Sequence, residues 1–138
     1  MKKILVAVDG SIPSLKAARM AIELGAATGA AITLVHVTPS VVTVSPSIFT
    51  PLPQIRDAEL ALGARVLAEV QRALEAPNLP VQNLLGSPAE TIADTALEQD
   101  FDLVVVGHKG KGAISRVLLG SVADRLTHIC QRPVLVVR

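Results

Sequence analysis

Between residues 107 and 121 the chain reads Gly107-His-Lys-Gly110, nine further residues, then Gly120-Ser121. Glycine lets a backbone approach a ligand closely and adopt conformations that a side chain forbids, so consecutive N–H groups can converge on an anion. Ser121-Val-Ala-Asp124 has the form of a capping box opening a helix, whose N-terminus would present unpaired N–H groups and the positive end of its dipole. Lys109, Lys111 and Arg116 add mobile positive charge beside these donors. The chemistry on offer is the cradling of a phosphate chain. A plainer reading stays open at this level: Gly107 can simply end a strand, and Ser121 can be no more than a helix cap. No Gly-Lys-Ser/Thr occurs, so the segment is not a Walker loop. Nor is it the dinucleotide pattern G-x-G-x-x-G, which belongs after a first strand.

The elements that must position this segment follow from hydrophobic period. Lys3-Ile-Leu-Val-Ala-Val8 is short, apolar on both faces and rich in branched residues, the pattern of a strand buried inside a parallel sheet. Ser11 can cap a helix with Pro13 in its first turn, and Leu15, Ala18, Ile22 and Ala26 keep helical spacing as far as Gly29. Ala31 to Val37 is a second strand. Thr38 to Pro53 breaks the pattern with Pro39, Pro46, Pro51 and Pro53 and reads as a long loop. Ile55, Ala58, Leu62, Val66, Val70 and Ala73 restore a helical period up to Pro77. Pro80 to Leu85 is a third strand, Ser87 caps a helix carrying Ala89, Ile92, Ala93 and Ala96, and Asp102 to Val106 is a fourth strand. After the glycine-rich segment a helix with Val122, Leu126 and Ile129 precedes a fifth strand, Pro133 to Val137.

Strands alternating with helices predict one α/β domain over residues 1–138, an open five-stranded parallel sheet of order 3-2-1-4-5 with helices on both faces. Such sheets bind ligands beyond the carboxyl ends of the strands, where the strand order reverses, here between the first and fourth strands. Asp9 and Gly107 stand at those two ends.

Composition narrows the ligand. The net charge of +1 gives no field to hold a nucleic-acid backbone, and a chain with no Trp, no Tyr and only Phe49 and Phe101 lacks stacking platforms for bases. Cys130 is the single cysteine, so neither a disulfide nor a cysteine-based zinc site can form within the chain, and a reducing, cytoplasmic compartment is expected. Lys2 and Lys3 precede an apolar run that Asp9 and Gly10 end too early for an export signal. No apolar stretch approaches the roughly 20 residues that span a bilayer, so the protein is expected to be soluble, without a membrane partner. His36, His108 and His128 lie on different elements without ligand spacing, so no protein metal site is expected. His36 reads as structural, and His108 either touches a phosphate or is a solvated loop residue.

Gly107-x2-Gly110-x9-Gly120-Ser121, followed by Pro133-Val-Leu-Val-Val, resembles the ATP-binding branch of the universal stress protein family, and the likeness covers the whole chain. Lys3-Ile-Leu-Val-Ala-Val-Asp9 is similar to the family's opening strand and His36-Val37 to the end of its second. The resemblance implies that Asp9 and Val37 hold the adenine and its sugar, with Ala7 and Val106 lining the base pocket. It implies further that Gly107, Gly110, Gly120, Ser121 and Val122 surround ribose and phosphates. ATP is then the expected cofactor, with magnesium or manganese carried by the phosphates and Ser121. A homodimer through Val134 to Val137 is the expected assembly, and an unidentified protein partner would read the nucleotide state. Aliphatic Ala7, Val37 and Val106 suit an adenine held without aromatic stacking. Asp9 is an acceptor for a ribose hydroxyl or an exocyclic amine, or else a turn residue bonding its own backbone.

Rival functions have weaker support. No paired nucleophile and base stands near an expected γ-phosphate, so at most slow ATP hydrolysis or autophosphorylation is expected and no catalytic residue is assigned. A phosphoacceptor receiver of the same topology needs an acidic pair after the first strand and an Asp after the third, where Leu85-Gly86-Ser87 stands. An interaction protein with an empty or AMP-type pocket is the remaining alternative. Val41, Val42, Val44, Ile48 and Phe49 give the long loop enough apolar content for a lid or a contact, with disorder as the competing reading.

Overall fold

The computed structural model describes residues 1–40, 53–111 and 118–138. Five strands and four helices alternate: β1 (Lys3–Ala7), α1 (Ile12–Thr28), β2 (Ala31–Thr38), α2 (Pro53–Ala73), β3 (Val81–Leu85), α3 (Pro88–Glu98), β4 (Leu103–Gly107), α4 (Ser121–Ile129) and β5 (Val134–Val137). Every strand pair is parallel and the order is β3-β2-β1-β4-β5, as the alternation predicts. The order reverses between β1 and β4, where Ile4, Leu5 and Val6 face Leu103, Val104 and Val105 in register.

Two apolar layers sandwich the sheet. Ile4, Val6, Ile32, Leu34 and Val105 point toward α1 and α2, while Leu5, Ala7, Val35, Val37, Val104 and Val106 point toward α3 and α4. This is the consequence of period-two alternation in strands that are apolar on both faces. Phe101 and Leu126 fill the second layer, both almost fully buried.

The helices sit on stripes somewhat different from those expected. In α1 the buried face is Ser14, Ala17, Ala18, Ala21 and Gly25, whereas Ala26 is exposed. Small side chains let this helix lie close against the sheet, so the stripe of closest approach wins over the stripe of largest side chains. In α2 the buried residues are Glu59, Gly63, Leu67 and Val70, while Ile55 and Leu62 are 45% and 56% exposed. Here Gly63 decides the docking: a Cβ on it would lie 2.1 Å from Asn83 Oδ1, so the helix rides on its glycine and turns Leu62 outward. The helix also stops at Ala73, before Pro77, with Leu74 N–H closing onto the Val70 carbonyl at 2.9 Å.

Candidate functional site

A cavity of about 640 Å³ opens beyond the carboxyl ends of β1, β2 and β4, on the α3 and α4 side of the sheet. All nine residues expected at a site line it. Ala7, Val37 and Val106 form an apolar wall, joined by Val35, Ile92 and Ala123. Asp9, Gly107, Gly110, Gly120, Ser121 and Val122 line it as well, with Lys109 and Lys111. Volume and lining match those of small-molecule sites, mostly apolar with a few convergent polar groups. Ile92 was legible only as an inward helix position and Ala123 only as part of the Ser121 to Asp124 motif, neither as a cavity residue. Ser14, from the first turn of α1, was not legible at all; its Oγ accepts from the Asp9 N–H at 3.3 Å.

The turn after β1 is tightly held. Val8 N–H donates to the Val35 carbonyl at 2.9 Å, and the Val8 carbonyl lies 2.7 Å from His36 Nδ1. A carbonyl only accepts, so Nδ1 carries the proton. His36 is therefore structural as expected, although its ring also borders the cavity. Asp9 takes the turn role and a second partner besides. One carboxylate oxygen accepts from Ser11 N–H at 2.9 Å, closing an Asx turn into the cap of α1, where Ser11 Oγ accepts from Ser14 N–H at 3.3 Å. The other accepts from Lys111 N–H at 3.0 Å, across the switch point. Burial works to raise the Asp9 carboxyl, but hydrogen bonds from Ser11, Lys111 and Ser14 outweigh it and hold the group below the ordinary carboxylate range. Asp9 is an anion at neutral pH.

The motif glycines answer to protein contacts first. Gly107 is the last residue of β4, opposite Val137, and a Cβ there would lie 2.8 Å from the Pro13 backbone carbonyl. A Cβ on Gly110 would lie 2.6 Å from Asp9 Oδ2, and one on Gly120 would lie 3.0 Å from Lys109 Cα. The spacing thus packs β4, the glycine segment and the start of α4 against one another.

The expected capping box at Ser121 is not formed. Gly120 is the N-cap, with its N–H tied to the His108 carbonyl at 2.7 Å, and no side chain caps the helix. Ser121 is already the first helical residue because the helix's first bond runs from Asp124 N–H to Gly120 O at 2.9 Å. Ser121, Val122 and Ala123 precede that bond, so their N–H groups have no partner inside the helix, and all three residues line the cavity. His108 is not among the lining residues; its N–H and carbonyl join Val137 to Gly120. Arg116 and the apolar residues Val41 to Phe49 lie outside the described residues. Away from the cavity lining, the Ser87 hydroxyl (2.7 Å) and the Arg125 guanidinium (2.9 Å) both donate to Glu90 and pull its carboxyl down to about 2, and the Arg125 bond ties α3 to α4.

The sequence pattern described as the Universal stress protein family matches residues 1–138. The chain belongs to the universal stress protein family. Universal stress protein MJ0531 of Methanocaldococcus jannaschii is 36% identical over 99% of this chain and 82% of its own length. Among solved structures, universal stress protein UspA from Lactobacillus plantarum superposes with a TM-score of 0.81 at 28% identity, covering 99% of this chain and 97% of its own. A universal stress protein from Archaeoglobus fulgidus, in complex with dAMP, shares the fold with a TM-score of 0.62 at 20% identity, covering 100% of this chain and 98% of its own. No helix among the described residues of this universal stress protein is long and apolar enough to cross a membrane.

Proposed function

We propose that this universal stress protein binds ATP and acts, as one cytoplasmic domain, as a nucleotide-dependent sensor whose loaded and empty states are read by a protein partner. One observation carries the reading: a single cavity at the switch point joins an aliphatic wall to the first-turn N–H groups of α4 and two lysines. Adenine would lie against Ala7, Val37 and Val106, its ribose near Asp9. The phosphates would lie along Gly107, Gly110, Gly120, Ser121 and Val122, within reach of Lys109 and Lys111. A carboxylate has about four acceptor positions, so the two bonds to Ser11 and Lys111 leave Asp9 room for a ribose hydroxyl.

A magnesium or manganese ion fits as a companion of the phosphates. Among the described residues no group of three His, Cys, Asp or Glu could hold a metal, and Ser121 offers one hydroxyl at the cavity wall. That donor set suits an ion held mainly by phosphates and water, whose contribution is to neutralise phosphate charge. Hydrolysis would be slow. Among the described residues the titratable lining groups are Asp9, His36, Lys109 and Lys111, and Asp9 and His36 are already engaged with backbone groups. Turnover below about once per minute is expected, far under ordinary enzymes. The dAMP complex of the Archaeoglobus fulgidus relative favours one alternative, an interaction protein with an AMP-type pocket. Calorimetric titration separates the two: ATP binding about tenfold or more tighter than adenosine supports phosphate reading, and equal affinities for ATP, AMP and adenosine would contradict it.

The edge strand β5 supports a homodimer through Val134 to Val137. Val104 N–H reaches the Pro133 carbonyl at 2.9 Å and His108 N–H reaches that of Val137 at 2.8 Å. By period-two alternation the backbone groups of Val134 and Val136 point away from β4, leaving an edge that natural sheets rarely leave uncovered. Val136 and Val134 also pack on the core beneath, so a charge there would disturb more than the edge. Val136→Pro removes one outward N–H and keeps the β4 ladder. A monomer in sedimentation is the expected result; a persistent dimer would move the interface elsewhere.

A further inference from the structure

The turn after β1, Asp9 with Gly10, and the glycine segment touch at three points. Asp9 Oδ2 accepts the Lys111 N–H at 3.0 Å. The same oxygen packs against the Cα of Gly110, where any side chain would begin 2.6 Å from it. The Lys111 stem then lies over Gly10, its Nζ and Cε 3.4 and 3.6 Å from the point that a Gly10 Cβ would occupy, and Gly10 holds a φ of +83°. Residue 110 is therefore small because of a carboxylate of this chain, and the segment from Gly107 to Lys111 is folded down onto the turn after β1. The turn itself cannot drift, since Val8 is held by Val35 on one side and by His36 on the other.

We propose that Asp9 is a positioning residue, a latch that fixes Gly110 and Lys111 over the cavity before any nucleotide arrives. Its value for binding rests on the nucleotide reading above. A loop set in its binding geometry loses less conformational freedom when a phosphate docks, and so binds more tightly for the same contacts. The latch also joins the ribose end of the cavity to the phosphate end through one side chain.

Two substitutions isolate it. In Asp9→Asn the amide oxygen can still accept from Ser11 N–H and keep the turn, but the amide NH₂ now faces the Lys111 N–H, donor against donor. Gly110→Ala leaves Asp9 intact and pushes its carboxylate off the loop. Amide hydrogen exchange of the full nucleotide-free chain, followed residue by residue, gives the readout. Lys111 should exchange about tenfold faster or more in both variants, the scale of a hydrogen bond to a charged group, with Ser11 unchanged. Unchanged exchange at Lys111, or equal loss at Ser11 in Asp9→Asn, would overturn the latch. ATP titration of Gly110→Ala then tests the consequence, with weaker binding expected and unchanged binding contradicting preorganisation. Since the exchange arm needs no ligand, a chain that bound no nucleotide would still report the latch.

Discussion

Replacing both cavity lysines by glutamate, Lys109→Glu with Lys111→Glu, should weaken ATP binding by about a hundredfold while adenosine affinity changes little. Among the described residues that line the cavity, the Asp, Glu, Lys and Arg side chains are those of Asp9, Lys109 and Lys111. A unit charge about 5 Å from a phosphate is worth about 0.8 kcal/mol even in bulk water. Reversal removes that attraction and adds an equal repulsion, so two reversals amount to roughly 3 kcal/mol. Adenosine carries no phosphate and feels none of it. The contrast between the two ligands is the decisive readout in calorimetry, because a variant that merely collapsed the cavity would lose both. Equal losses for ATP and adenosine would mean that the lysines support the fold and do not face phosphates.

The second large effect is expected from Gly107→Val. The glycine closes β4 against the first turn of α1, where Pro13 C and O would lie 2.8 Å and Ser14 N 3.0 Å from a new Cβ. All three are backbone atoms of a helix start already tied down by Ser11 and Asp9, so nothing nearby can swing aside. Overpacking of this kind costs about 1–3 kcal/mol, and the branched valine belongs at the upper end. A fall of about 10 °C in Tm follows for a chain of this size. Calorimetric melting checks it, and an unchanged Tm would show that β4 and α1 can separate freely. Gly110→Ala should differ, because the atom it meets is the end of a side chain. Its effect belongs on the loop and only weakly on Tm.

Much of this architecture could be read in advance. Strands apolar on both faces, short and separated by helical periods, leave little choice but a parallel sheet, and the reversal between β1 and β4 follows from five such units. Asp9 and Gly107 were legible from the strand ends at the switch point and Gly110, Gly120 and Ser121 from the glycine spacing, whereas Ala7, Val37, Val106 and Val122 were indicated only by the family resemblance. Helix faces were less legible. Gly63 in α2 and, apart from Ala18, the small buried residues of α1 were not marked by the hydrophobic period, yet close approach is what selected them, so Leu62 and Ala26 turn outward. The pattern Ser121 to Asp124 misled for a local reason: Gly120, bonded through its N–H to His108, already occupies the capping position. The partnership of Asp9 with Lys111 spans 102 residues, and no local period reports such a contact.

The central claim is that this cavity holds an adenine nucleotide. With no Trp or Tyr the protein barely absorbs at 280 nm, so a carried nucleotide dominates its ultraviolet spectrum. The measurement is the spectrum of the purified protein, followed by denaturation and chromatographic identification of what is released. Release of ATP in near-equal ratio to protein is the expected result. A clean protein that also ignores added ATP with magnesium would contradict the claim and leave the glycine segment as packing alone.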